Sequence, residues 1–185
     1  GLQWATQSLP VPEPGADPAA WDKLQAALDE AAALGVATTT SGSSKRPADK
    51  AERFERIKRV AECMERAAAM CKARGLRLAL HNHWRQLLET REEIETMLAE
   101  APSVDMLLDT AHLELCGGGV MALIESRSDR IAHVHLKDLD LATPLVNDER
   151  LGGAKDWPNF LELGQGGLDF KACLQALAAK GYSGW

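Results

Sequence analysis

Short apolar runs alternate with longer amphipathic stretches along the whole chain, and this rhythm constrains the fold more than any other feature. Residues 2–9 form a first strand-like run that enters a proline-rich loop over 10–18. Asp17-Pro18 then supplies an N-cap followed by proline at the first helical position. The helix it opens carries Trp21, Leu24, Leu28 and Ala31/Ala32 on one face and stops at Gly35. Residues 36–41 are β-branched and short, as a strand requires. A second helix starts near Asp49, with Phe54, Ile57, Val60, Ala61, Met64, Ala68 and Cys71 at helical spacing, and ends at Gly75. Apolar runs at 76–80, 104–108 and 131–136 give three more strands. Thr90 and Glu93 make a capping box for a helix bearing Ile94, Met97 and Leu98. The glycines at 117–119 form a turn before a short helix over 120–127, and a last helix over 169–180 ends at Gly181. Strand and helix repeated in this way predict a parallel α/β fold.

With 185 residues, 45% of them apolar and 26% charged, the chain suits a single globular domain. No stretch of about 18 uncharged apolar residues occurs, so no membrane span is expected. Gly1-Leu2-Gln3-Trp4 has neither the basic nor the apolar region of a signal peptide, and without an initiator Met it is expected to lie inside a longer gene product. The formal charge of −6 argues against nucleic-acid or anionic-membrane partners, which are gripped by clustered Lys and Arg. Cys63, Cys71, Cys116 and Cys173 show no CxxC spacing, so a reduced, cytoplasmic setting is expected.

All five histidines fall at the ends of predicted strands. Alternate side chains of a strand share a face. His81 and His83 thus lie opposite Leu78 and Leu80, and His133, His135 and Lys137 lie opposite Ala132, Val134 and Leu136. Asp109 follows Leu107 on its face, with Met106 and Leu108 on the other. Three strands would therefore send polar groups to the C-terminal mouth of a sheet or barrel, where α/β enzymes keep their active sites. Asp and His together suit Zn²⁺, Mn²⁺ or Co²⁺. Taken singly, each feature has a plainer explanation. A strand-end His is commonly hydrogen-bonded structure, Asp109-Thr110 fits an N-cap or Asx turn, His133 fits core packing, and Cys116 beside three glycines fits a small buried filler. The glycines at 117–119 lack the spacing of a phosphate loop. Joint occurrence on three strands favours the metal reading.

Five motifs in order, Leu78-Ala-Leu-His-Asn-His83, Leu107-Leu-Asp-Thr-Ala-His112, His133-Val-His-Leu-Lys-Asp138, Leu163-Gly-Gln-Gly-Gly-Leu-Asp-Phe170 and Gly181-Tyr-Ser-Gly-Trp185, resemble the xylose-isomerase-like TIM-barrel superfamily. Within it the sugar phosphate isomerases/epimerases and the inosose dehydratase/isomerase branch are the nearest match. The resemblance is strong over residues 76–185 and rests elsewhere on the βα rhythm. It implies a partial (β/α)8 TIM barrel, with parallel strands three to seven and the start of strand eight, as a single incomplete domain over 1–185. A full barrel has roughly 250 residues, so about two N-terminal βα units and most of the last strand are expected to be missing. The family's metal ligands map onto Asp109 and His135, with His81 standing where relatives carry Glu, and His112 and Lys137-Asp138 completing two motifs. Gln165 stands where many relatives have Glu, and the final-strand Glu is absent.

The resemblance implies a divalent metal (Mn, Co, Zn or Mg) on His81, Asp109 and His135, with no organic cofactor. His83, His112 and Lys137, in that order, are candidates for proton transfer; Glu89 is expected to be a solvated helix-terminal residue. The expected substrate is a small polyhydroxylated carbonyl compound, namely a keto-sugar, sugar phosphate or inosose, isomerised, epimerised or dehydrated through an enolate. The piece alone is expected to be inactive, and homo-oligomerisation is left open. Two rivals are a non-catalytic small-molecule-binding barrel and an endonuclease-IV-like DNA-repair phosphodiesterase, the latter opposed by the negative charge.

Overall fold

The computed structural model describes residues 3–148 and 154–185. Five parallel strands form one sheet in sequential order: β1 (Gln7–Ser8), β2 (Thr38–Ser41), β3 (Arg77–His81), β4 (Asp105–Asp109) and β5 (Ile131–His135). Helix α1 (Pro18–Ala33) links β1 to β2, α2 (Lys50–Lys72) links β2 to β3, and α3 (Arg91–Glu100) links β3 to β4. Two short helices, α4 (Thr110–Leu115) and α5 (Val120–Arg127), lead into β5, and α6 (Phe170–Ala179) follows it. Sequential strands with a helix in every crossover make an open wall of an α/β barrel, as expected. Beyond β5, the Val134 amide donates to the Trp185 carbonyl at 3.1 Å, so the last described residue lies along that edge. Among the described residues no helix is long and apolar enough to cross a membrane.

The helix boundaries follow from their caps. Asp17 accepts from the Ala19 amide and Asp49 from the Glu52 amide, each at 2.8 Å, and Asp169 accepts from Ala172 at 2.9 Å. Gly35, Gly75 and Gly181 take left-handed backbone just past three helices, as their positions in the sequence predicted. Between helices and sheet lies the main core. Leu24 and Leu28 of α1, Ile57 and Met64 of α2, and Ile94 and Met97 of α3 pack there against Leu78, Leu80, Met106 and Leu108. Ala79, Leu107 and Ala132 form a separate small cluster on the opposite, inner face.

Ala132 corrects the expected alternation. Met106 pairs with Ile131 but Leu107 pairs with His133, so one extra residue enters β5 at Ala132. The bulge lets Ala132 join the inner face while Ile131 and Val134 both pack outward. The structure differs from expectation in three further places. The first strand shrinks to Gln7–Ser8, and Leu2 of the expected run lies outside the described residues. Helix α4 begins directly after Asp109 and is too short for periodicity to reveal. Between β5 and α6 the chain makes two antiparallel pairings, β6 (Asp138–Leu139) with β9 (Phe160–Leu161) and β7 (Leu145–Asp148) with β8 (Ala154–Pro158).

The Leu163–Phe170 motif serves that excursion. Asp138 is buried and its carboxylate accepts from the amides of Gly164 and Gly166 at 2.9 Å and of Leu168 at 3.3 Å. Burial opposes its charge, yet these backbone donors hold its carboxyl below the usual range. A Cβ at Gly166 would sit 2.5 Å from the Leu139 carbonyl oxygen, which explains glycine there.

Glu93 is the other buried acid that holds loops together. Its carboxylate takes Arg46 at 2.6 Å and Arg53 at 3.1 Å, and it accepts from the amides of Thr90 and Glu89. Burial would raise its pKa, but the Arg46 hydrogen bond and the two amides outweigh it and leave the value lowered. Glu93→Gln is expected to cost about 3 kcal/mol in urea unfolding at pH 7, because Arg53 loses its carboxylate partner and Arg46 keeps only Glu89. A depressed folded value means this stability is present above the unfolded pKa of about 4.3 and is lost as pH falls through the folded value. The gap between wild type and variant should therefore narrow below about pH 4.

Candidate metal centre

The C-terminal ends of β3, β4 and β5 bring His81, Asp109 and His135 together, each facing the inner side of the wall. Asp109 is fully buried, His81 is partly buried and His135 is the most open of the three. Asp109 Oδ2 lies 3.5 Å from His81 Nε2, 3.6 Å from His135 Nδ1 and 4.0 Å from His112 Nε2. One potential ligand atom from each of His81, Asp109 and His135 falls within 4.8 Å of the other two.

Each of the two readings of Asp109 left open by the sequence has a carboxylate oxygen available to it. Oδ1 accepts from the His112 amide at 3.1 Å and caps α4, while Oδ2 faces the imidazoles. Oδ2 and His81 Nε2 are buried without an aligned hydrogen-bond partner. Oδ2 has the Lys137 ammonium at 3.0 Å on one side, and two buried polar atoms that face one point without an aligned hydrogen bond suit a further cation between them, since unsatisfied buried polar groups are costly. A carboxylate and two imidazoles form a donor set for a borderline divalent ion. The residues present therefore fit a divalent metal.

Burial would raise the Asp109 carboxyl, but the facing His135 and His81 and the nearby His112 and Lys137 hold it well below the usual carboxylate range. Lys137 Nζ is 3.0 Å from Oδ2 and 3.1 Å from His112 Nε2. Burial pushes the His112 pKa down to about 3, against the pull of Asp109, so that imidazole is neutral at pH 7. An ammonium facing its Nε2 places the ring proton on Nδ1. His83 is half-buried and its pKa is lowered chiefly by burial. Its Nδ1 lies 2.7 Å from the Trp84 carbonyl oxygen, so Nδ1–H donates there and Nε2 is left as an acceptor. The His83 and His112 ring centroids are 3.8 Å apart.

Every sequence-predicted site residue lies in this one cluster. His133, expected to pack, is buried 5.5 Å from His135 in ring-centroid distance. Glu89 is not solvated: it pairs with Arg46 at 2.6 Å because the β2–α2 loop folds over the start of α3. Cys116 is half-buried, lies 3.4 Å from Glu89, and has its thiol pushed up by burial and that carboxylate, which fits the inert filler.

Three contributors escaped the sequence argument. Asn82 is buried and exchanges two hydrogen bonds with the Asp109 backbone, at 2.8 and 3.1 Å, fixing the end of β4 to the end of β3. Thr110 Oγ1 donates to the Lys137 carbonyl and accepts from the Lys137 amide, at 2.8 and 3.0 Å. Phe160 sits edge-on to His112 and 4.8 Å from Lys137 Nζ. The alternation rule could have flagged none of them, since Asn82 points opposite to its histidine neighbours and Phe160 arrives from the excursion.

Comparison with known proteins identifies the family and the fold. The rhizopine catabolism protein MocC of Rhizobium meliloti is 33% identical over 149 residues, covering 77% of this chain and 44% of that protein. An inosose dehydratase of Lactiplantibacillus plantarum is 34% identical over 118 residues, covering 60% of this chain and 39% of its own length. The chain thus spans less than half the length of these curated relatives. The structure of an IOLI protein with a bound zinc atom superimposes with a TM-score of 0.70 at 18% identity, over 96% of this chain and 64% of that one. The family model described as xylose isomerase-like TIM barrel matches residues 5–185. With nearly all of its length matched and its strands arranged as a barrel wall, the chain belongs to the xylose isomerase-like TIM-barrel family.

Proposed function

We propose that these residues supply strands three to seven of a larger barrel whose complete form is a divalent-metal-dependent isomerase, epimerase or dehydratase of a keto-sugar, sugar phosphate or inosose. The observation that carries this reading is the fully buried Asp109 carboxylate, whose Oδ2 makes no aligned hydrogen bond and faces both His81 and His135. His81, Asp109 and His135 would hold the ion. When bound, a divalent cation polarises neighbouring carbonyl and hydroxyl oxygens and stabilises the negative charge of an enolate. Zinc in the IOLI structure and the inosose dehydratase activity named for a relative support the same chemistry.

The remaining roles belong to side chains. His83 Nε2, with its other nitrogen tied to Trp84, is the base that takes the proton from the carbon next to the carbonyl. Lys137 keeps its ammonium against Asp109 and His112 and offers a positive charge to the developing enolate oxygen. Return of the proton at the former carbonyl carbon isomerises the substrate, return to the opposite face of the carbon it left epimerises it, and loss of a β-hydroxyl dehydrates it. A solvent-deuterium experiment on the complete protein tests this. Deuterium should enter the carbon beside the carbonyl of a keto-sugar or inosose in the metal-loaded protein. Absence of exchange across a ketose and cyclitol panel would overturn the reading and favour a non-catalytic binding barrel.

A further inference from the structure

The turn that begins at His83 is strained, and Glu89 holds its strained residue. His83, Trp84, Arg85 and Gln86 form a β-turn closed by the Gln86 amide, which donates to the His83 carbonyl at 3.1 Å. Arg85 has φ 61 whereas Trp84 is not left-handed, so the turn is of type II. That type favours glycine at its third position, and a residue with a Cβ is costly there. Turning the central peptide, between Trp84 and Arg85, over by about 180° would give the commoner type I turn and relieve the strain.

Both ends of that peptide are tied in the strained orientation. Its carbonyl oxygen, on Trp84, accepts from His83 Nδ1–H at 2.7 Å. Its N–H, on Arg85, points the opposite way, as in any trans peptide, and donates to Glu89 Oε1 at 3.3 Å. Glu89 Oε2 is in turn fixed by Arg46 Nε at 2.6 Å, in a pair largely screened from water. Arg46 comes from the β2–α2 loop, and its Nη1 lies 3.4 Å from the carbonyl oxygens of Gln86 and Leu87. A flipped peptide would lose Glu89 at one end and His83 at the other. The His83 ring itself stands in the cluster, with its centroid 5.6 Å from that of His81 and 3.8 Å from that of His112.

We propose that Glu89, braced by Arg46, is a positioning residue that holds the Trp84–Arg85 peptide in the orientation whose carbonyl fixes the His83 imidazole. This rests on His83 being the base and deepens that reading. The carbonyl sets both the angle of the ring and the nitrogen that carries its proton, which leaves Nε2 as the acceptor.

Nitrogen-15 spectra of ring-labelled histidine in the zinc-loaded complete protein test the proposal, with the His83 signals assigned by their loss in His83→Gln. Wild type should show the Nδ1–H tautomer, and Glu89→Ala should show a mixture of both tautomers. With the ketose or cyclitol that exchanges deuterium fastest in wild type as substrate, Glu89→Ala should lower the saturated exchange rate about 10- to 100-fold, the scale of a small misplacement, and leave KM within about twofold. Zinc content should not change. Glu89→Gln, whose side-chain oxygen still accepts from the Arg85 amide, should stay near wild type. Adding Arg85→Gly to Glu89→Ala should restore the Nδ1–H tautomer and most of the rate, because glycine takes a type II turn unaided. A general loss of packing around residue 89 would not respond to that second substitution. A wild-type tautomer in Glu89→Ala, or no recovery in the double variant, would overturn the proposal. Tautomer changes as expected in a protein that exchanges no deuterium would support Glu89 as the residue that positions the ring and overturn His83 as a base.

Discussion

Asp109→Asn is expected to lower the affinity of the complete protein for Mn²⁺, Co²⁺ or Zn²⁺ by at least about 100-fold, since even residues that only support a ligand are worth 10–100-fold. The substitution is chosen because it separates charge from architecture. An amide oxygen can still accept from the His112 amide, and the two bonds between Asn82 and the residue 109 backbone do not involve the side chain. What disappears is the one negative charge that His81, His135, His112 and Lys137 share. Loss of metal from a protein whose circular dichroism and urea midpoint stay near wild type would assign the effect to the ligand set. Metal retained at wild-type affinity would remove Asp109 from it.

His83→Gln is expected to lower turnover by about 10²- to 10⁴-fold, the usual contribution of a positioned general base, with metal content unchanged. Glutamine can keep a donor near the Trp84 carbonyl oxygen but offers no basic nitrogen. His83 is absent from the group whose ligand atoms converge within 4.8 Å, so ion binding should not depend on it. A parallel loss of metal would instead make it a ligand, and undiminished deuterium exchange would pass the role of base to another residue. His112 is the weaker candidate because its Nε2 already faces the Lys137 ammonium at 3.1 Å.

How much of this was legible in the sequence depends on the range of the physics involved. The helices α1, α2, α3 and α6 announce themselves through caps and periodic apolar faces, which are local, and their ends fall where Asp17, Asp49, Gly35 and Gly75 predict. Convergence of His81, Asp109 and His135 follows from strand alternation plus the rule that parallel strands end on a common side. Alternation failed at Ala132 because a bulge changes the count by one, and nothing in Ile131-Ala132-His133 marks that position. The pairings of residues 138–161 were invisible for another reason. Their strands are two to five residues long and are fixed by long-range contacts, such as the Asp138 carboxylate gathering the amides of Gly164, Gly166 and Leu168. Asn82 was overlooked because a buried amide satisfied by backbone on the next strand looks, in sequence, like an ordinary loop residue.

Metal stoichiometry tests the central claim most directly. Inductively coupled plasma mass spectrometry of the complete protein, purified without chelator and after dialysis against Mn²⁺, Co²⁺ or Zn²⁺, should find about one tightly held ion per protein molecule. That ion should be lost in both Asp109→Ala and His135→Ala. No stoichiometric metal, or an ion that survives both substitutions, would contradict a centre built on His81, Asp109 and His135.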